Sequence, residues 1–157
     1  MKVTFILVGK TDDSYIAEGF AVFEKRIKHY ISFETIVLPA LKNTKGLTIE
    51  QQKQKEGELI LKHIQPTDRL ILLDENGKSY TSLEFSSFFQ QQMNSGVKNL
   101  VFLVGGPYGF SEQVYKTSNG KLSLSKMTFS HQMVRLFFVE QLYRAMTILK
   151  NEPYHHQ

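Results

Sequence analysis

The sequence predicts an α/β protein, a mostly parallel sheet covered by helices on both faces, and three observations carry that prediction. Apolar runs of strand length alternate with stretches of helical periodicity along the whole chain. The strand runs, such as Asn99-Leu-Val-Phe-Leu-Val104, are nearly continuous in Val, Leu, Ile and Phe, the mark of strands buried on both faces. The helical stretches open on hydroxyl or acidic caps, and two of them close on Pro66 or Ser95-Gly96. With 157 residues the chain forms one domain, residues 1–157, able to bury about two-thirds of its unfolded surface.

Val3 to Val8 is the first strand, followed by Gly9-Lys10-Thr11. This is no phosphate loop, because that motif needs a glycine five residues before Gly9, where Thr4 stands within the strand. Asp12 or Asp13 caps a helix to about His29, with Ile16, Phe20, Phe23 and Ile27 at helical spacing. Its Lys25-Arg26-Lys28 cluster reads as a solvated helix end in preference to a phosphate contact. Phe33 to Leu38 is the second strand, stopped by Pro39, and Lys42 to Gly46 a basic loop.

Thr48 and Gln51 form a capping box for a helix to about Ile64. Arg69 to Asp74 is the third strand, and Glu75-Asn76-Gly77-Lys78 reads as a turn. Thr81 and Glu84 box a third helix to about Asn94. The fourth strand is Asn99 to Val104, then Gly105-Gly106-Pro107-Tyr108-Gly109 and a short helix from Ser111-Glu112. Leu122 to Ser125 is the fifth strand, and Ser130 caps a long helix from His131 to Lys150. Topological rules alone predict a right-handed, unknotted sheet of the Rossmann type.

Composition limits the chemistry. No cysteine means no disulfide and no thiolate metal site, and the scattered histidines, His155-His156 included, make no metal site. Only Lys2 precedes the first apolar run, so neither a signal peptide nor a membrane span is expected, and an intracellular, cytoplasmic setting is. A net charge of +4 permits nucleic-acid binding without requiring it.

Two strands end in loops rich in glycine, hydroxyl and apolar residues, and in an open α/β sheet carboxyl-end loops are where ligands bind. Gly105-Gly106-x-x-Gly109 is not the G-x-G-x-x-G fingerprint and follows the fourth strand instead of the first. From pattern alone it is equally a turn with positive φ or a bare backbone surface against which a flat ligand can lie. Without further information Leu73 and Leu124 read as core.

Val104-Gly-Gly-Pro-Tyr-Gly109, Leu122-Ser-Leu-Ser-Lys-Met-Thr-Phe129, His131, Arg135, Glu140, Tyr143-Arg144 and Pro153-Tyr-His155 together resemble one family. It is the RlmH-type ribosomal RNA pseudouridine methyltransferases, within the SPOUT superfamily, and the likeness begins at Val8-Gly9-Lys10. The resemblance implies a carboxyl-terminal trefoil knot, a homodimer, and S-adenosylmethionine as methyl donor. It implies methylation at N3 of a pseudouridine in 23S RNA, on the assembled ribosome, with no metal and no membrane. The cofactor residues it implies are Leu73, Gly105, Leu124, Ser125, Lys126, Met127, Thr128 and Phe129. Tyr154, His155 and Arg144 are implied on the substrate side, with the tail of one subunit serving the other's cleft. Whether His155 takes the imide proton or only orients the base stays open, as do the roles of Glu140 and His131.

The final helix is apolar nearly all round and must be buried on more than one side. One face is expected on the sheet and the other, including Phe137 and Phe138, against a second copy. Two other enzyme readings stand beside this one, a SPOUT methyltransferase acting on transfer RNA and a Rossmann-like reductase. A ribosome-binding relative without activity is the non-enzymatic alternative.

Overall fold

The structure, a computed structural model, describes residues 1–156; Gln157, the last residue of the tail grouped above, lies outside the described residues. Five strands, β1 (Lys2–Val8), β2 (Ser32–Leu38), β3 (Arg69–Ser79), β4 (Asn99–Val104) and β5 (Gly120–Ser123), form one sheet. Its order is β2-β1-β4-β3-β5 and every pairing is parallel. The helices are α1 (Ser14–Ile27), α2 (Ile49–Leu61), α3 (Ser82–Asn94), α4 (Glu112–Thr117) and α5 (His131–Leu149).

The strands' two-residue period divides the core. Val3, Phe5 and Leu7 of β1 and Leu100, Phe102 and Val104 of β4 point to the face covered by α1, α3 and α5. Ile6, Val101 and Leu103 point to the other face, where α2 and α4 lie with Ile60 and Val114. On the first face Phe138 sits at the centre, 4.5 Å from Phe5 and 4.8 Å from Phe102 between ring centroids. It is fully buried, so truncating it to alanine would cost about 3–5 kcal/mol.

Both capping boxes form. Thr48 Oγ1 accepts from the Gln51 N–H at 3.1 Å while the Thr48 N–H donates to Gln51 Oε1 at 2.9 Å. Thr81 and Glu84 repeat the exchange at 3.2 and 2.7 Å. At α1 the cap is Asp13, but its side chain makes no capping bond.

Two expectations change. The third strand does not stop at Asp74; β3 continues to Ser79, with a register irregularity in which Leu122 pairs with both Leu73 and Lys78. The polar run Glu75–Lys78 thus passes around β5, and a Cβ on Gly77 would sit 2.6–2.7 Å from the backbone of Lys121 and Leu122. Only glycine fits so close an approach. Secondly, α5 has its flanks covered within the chain, because α1 and α3 pack on either side of it. Phe138 belongs wholly to the core, and Phe137, 40% exposed, is the phenylalanine that faces outward.

Candidate functional site

The middle of β3 from Leu73 to Asn76, the loops after β4 and β5 and the first turn of α5 line a cleft of about 600 Å³. Leu73, Gly105, Leu124, Ser125, Met127, Thr128 and Phe129 line it, so seven of the eight cofactor positions implied by the resemblance come together around one cleft. Lys126 is exposed and does not line the cleft.

Local chemistry shapes each loop. Gly109 takes φ +80° and its N–H donates to the Gly106 carbonyl at 3.2 Å, which closes a tight turn through Pro107 and Tyr108. A Cβ on Gly105 would lie 2.7 Å from Cε1 of Phe110, a buried ring that itself lines the cleft. The absence of a side chain at Gly105 therefore makes room for Phe110, and a substitution there disturbs packing as well as the cleft. In the loop after β5, Ser125 Oγ accepts from the Met127 N–H at 2.9 Å, and Ser130 caps α5 by accepting from the Met133 N–H at 3.1 Å.

Four residues not singled out from the sequence tie these loops together. The Thr128 hydroxyl donates to Glu75 at 2.8 Å, linking the loop after β5 to the bulge of β3. The Tyr115 hydroxyl donates to Asp74 at 2.8 Å; burial, and then that carboxylate, push the phenol up to about 12. Behind the glycines, Glu56 of α2 accepts from the Gly106 N–H at 3.1 Å, and burial raises its carboxyl above the usual range despite that bond. Glu56 is one of many polar residues along α2, and only the tertiary contact reveals it.

The first turns of α5 also fix the loop after β1. Arg135 is 1% exposed and donates to the carbonyls of Val8 and Gly9 at 2.8 and 2.9 Å and to Thr11 Oγ1 at 3.1 Å. Gln132 accepts from the Asp12 N–H at 2.9 Å and donates to the Lys10 carbonyl at 3.3 Å. Gly9-Lys10-Thr11 thus offers its backbone to α5 and has no role as a phosphate cradle. Burial pulls the Arg135 guanidinium below its ordinary value, with Asp12 acting in the opposite sense.

At the far end of α5 a second cluster forms. Arg144 pairs with Glu140, and the two side chains are only 24% and 20% exposed, so this is not the exposed surface pair that i,i+4 spacing alone describes. The Tyr154 hydroxyl donates to Glu140 Oε1 at 2.9 Å, and the guanidinium of Arg144 lies 4.7 Å from the centre of the Tyr154 ring. Burial first, and Glu140 next, raise the Tyr154 phenol. His155 Nδ1 stands 3.3 Å from Arg144 Nη1, and its buried Nε2 has no partner. Tyr30 donates to Glu152, which anchors the start of the tail, and that bond pushes the Tyr30 phenol up to about 12.

Tyr154, His155 and Arg144 are therefore brought together with Glu140, as one network. They do not meet the cleft of their own chain. His131 lines the cleft and Arg144 stands thirteen positions later, about 20 Å along the axis at 1.5 Å per residue. Among the described residues no group of three His, Asp or Glu side chains is arranged to hold a metal ion, and no helix is long and apolar enough to cross a membrane.

Comparison with known proteins gives this arrangement its context. A family model described as "Predicted SPOUT methyltransferase" matches residues 1–155. Curated proteins named "Ribosomal RNA large subunit methyltransferase H" align over the full length of both chains. Those of Parabacteroides distasonis and Flavobacterium psychrophilum are 59% identical, and that of Bacteroides thetaiotaomicron 55%. A parallel five-stranded sheet with a glycine-lined cleft at its carboxyl edge, matched from residue 1 to residue 155, makes this chain a member of the SPOUT methyltransferase family.

Proposed function

We propose that this protein methylates N3 of a pseudouridine in 23S ribosomal RNA, within the assembled ribosome in the cytoplasm, using S-adenosylmethionine and working as a homodimer. The observation that carries this reading is the separation of two half-sites, a ligand-sized cleft at one end of α5 and a polar aromatic cluster at the other. The names of the full-length relatives support the large ribosomal subunit as the source of the substrate.

The cleft suits the cofactor. Its volume falls in the range of small-molecule sites. Leu73, Leu124 and Phe129 offer apolar walls for an adenine, and the bare backbone at Gly105 and Gly106 allows close approach to its edges. Asp74 and Glu75 on the rim favour a positively charged ligand over an anionic one. Bound there, S-adenosylmethionine supplies a methyl group on a sulfonium, whose C–S electron pair stays with sulfur on transfer. The chain itself then has to place N3 in line with that methyl group, which is positional catalysis. Tyr154 offers a ring face and Arg144 a fixed positive charge for this purpose.

Homodimerisation joins the two half-sites. Two α5 helices laid antiparallel about a twofold axis set the tail of each subunit beside the cleft of the other. Phe137, outward-facing and 4.8 Å from the Phe129 ring of the cleft wall, supports that contact. The knot is supported by the wrapping of residues 74–78 around β5. The segment after β5 leaves the sheet edge beyond β3 to reach α5 between α1 and α3, which takes it past the β3–α3 connection.

Mixed dimers test the proposal. One subunit carries Gly105→Val with an intact tail, and the other has a sound cleft but lacks residues 153–157. Each homodimer is expected to be inactive, whereas the purified heterodimer, holding one complete site, should methylate ribosomes from cells lacking the modification and leave free 23S RNA unmodified. A silent heterodimer refutes the shared site, and equal activity on free RNA refutes the assembled substrate.

A further inference from the structure

We infer that His155 acts as a hydrogen-bond donor toward the substrate base through Nε2, and not as the base that removes its proton. The inference rests on the proposed tail site and deepens it. An arginine guanidinium has only N–H donors and is charged at any ordinary pH. The contact at 3.3 Å between Arg144 Nη1 and His155 Nδ1 therefore fixes the direction of the bond, with Arg144 donating and Nδ1 accepting through its lone pair. A neutral imidazole has one such lone pair, so its proton is at Nε2. A doubly protonated ring would set two donors and two positive charges against each other.

Arg144 is itself held for this task. Glu140 takes the Nη2 side of the guanidinium, and Tyr154 donates to the same carboxylate oxygen from the tail. The titratable group on the ring is thus Arg144, with Glu140 and Tyr154 joined to it, Tyr143 packed edge-on against Tyr154 at 4.7 Å and Arg26 lying over Tyr143 at 5.5 Å. Glu140 becomes a positioning residue, one that acts on the substrate through Arg144 and His155. Nε2 has no partner and is covered by the single chain's own atoms, so a ligand reaches it only when the tail shifts on binding. A buried N–H without an acceptor costs stability, which a ligand carbonyl restores. A pyrimidine carbonyl flanking the reacting imide nitrogen is such an acceptor, and negative charge spreads onto it once the imide proton has left.

The step balances without a histidine base. The imide proton passes to hydroxide from the solvent, and N3 uses the lone pair so released to bond the methyl carbon. The electron pair of the broken C–S bond stays on sulfur. His155 and Arg144 stabilise the anion that attacks.

Two measurements test this on the full chain. Long-range proton–nitrogen correlation spectra of protein labelled with ¹⁵N-histidine, His155 being assigned by its loss in His155→Gln, should show the Nε2–H tautomer at neutral pH. Arg144→Met should shift it toward a mixture. A ring protonated at Nδ1, or at both nitrogens, overturns the inference. Methylation of unmodified ribosomes supplies the second readout. Glutamine keeps an N–H donor near the Nε2 position but cannot take a proton, so His155→Gln should retain activity within about tenfold while His155→Phe loses at least 100-fold. General bases contribute about 10²–10⁴-fold, so a glutamine variant as inactive as the phenylalanine variant also overturns the inference. If both variants match the wild type, the proposed tail site fails, whichever tautomer the spectra show.

Discussion

At its amino end α5 meets a cleft where bare backbone at Gly105 and Gly106 lies beside apolar side chains; at its carboxyl end it carries a cluster made of polar and aromatic side chains. Around the cleft, side chains hold main chain in place. Arg135 and Gln132 grip the loop after β1, Glu56 holds the Gly106 amide, and Thr128 ties two loops through Glu75. In the tail, Tyr154, Glu140, Arg144 and His155 bond to one another, and the backbone of residues 153–156 does little beyond carrying them. On the proposed function, the difference follows from what each end would contact. A flat heteroaromatic ligand is read closely by amides and carbonyls, which requires glycine, whereas a reacting base needs donors and charge at chosen points, which only side chains supply.

That contrast can be broken or sharpened by substitution. The largest effect is expected at Arg135. Arg135→Ala leaves the half-buried carbonyls of Val8 and Gly9 without their donor, and losing several bonds from a charged donor should cost about 3–5 kcal/mol. Urea denaturation would register this as a lower midpoint, and an unchanged midpoint would mean that the loop after β1 needs no clamp. Next in size, Gly105→Ala should weaken S-adenosylmethionine binding by about tenfold or more through the displaced Phe110 ring, since a 1.4 kcal/mol penalty is tenfold. Tyr154→Phe should leave that affinity within about twofold. Calorimetry on both variants decides it, and an equal loss in the two would dissolve the distinction between the ends.

The smallest effect belongs to Glu56. Burial raises its folded-state pKa, so the folded chain binds the proton more readily than the unfolded chain does. Its contribution to stability is then present in acid and is lost as the pH rises through the folded-state value. Glu56→Gln keeps an acceptor for the Gly106 amide and removes the charge. It should raise stability at neutral pH by less than about 1 kcal/mol, discounted because the carboxylate is partly solvated, with the gain vanishing below the usual carboxylate range. Thermal melts across pH provide the check, and a loss at neutral pH would show that the charge itself supports the glycine loop.

What the sequence made legible was local chemistry. The capping boxes at Thr48 and Thr81 are read from residues three positions apart, the cap at Ser130 and the helix start at Ser111 from a hydroxyl ahead of a helical stretch, and all four hold in the structure. The cleft residues were named through the family resemblance; from pattern alone the glycine loop was equally a turn, and Leu73 and Leu124 read as core. Strand order was not visible, since no local rule sets β3 between β4 and β5. The extension of β3 was hidden for a similar reason. Glu75-Asn76-Gly77-Lys78 is turn chemistry by composition, and only pairing with Leu122, far along the chain, makes it strand. The inward contacts of Arg135 and Glu56 escaped because charged residues on helices ordinarily face water. They follow from carbonyls and amides that other loops leave without partners.

A single straight run of nineteen residues separates the two ends of α5, and this makes the helix a gauge as well as a scaffold. One residue added between Arg135 and Glu140 would turn everything beyond it by about 100° and advance it about 1.5 Å. Glu140 and Arg144 would keep their spacing, so the pair itself would survive intact, but it would face another quarter of the molecule. Phe138 and Leu142 would rotate out of the sheet at the same moment. The spacing between cleft and tail is therefore quantised. Chain length along α5 is under the same constraint as the identity of its residues, and the tail can drift in composition more readily than the helix before it can gain or lose a position.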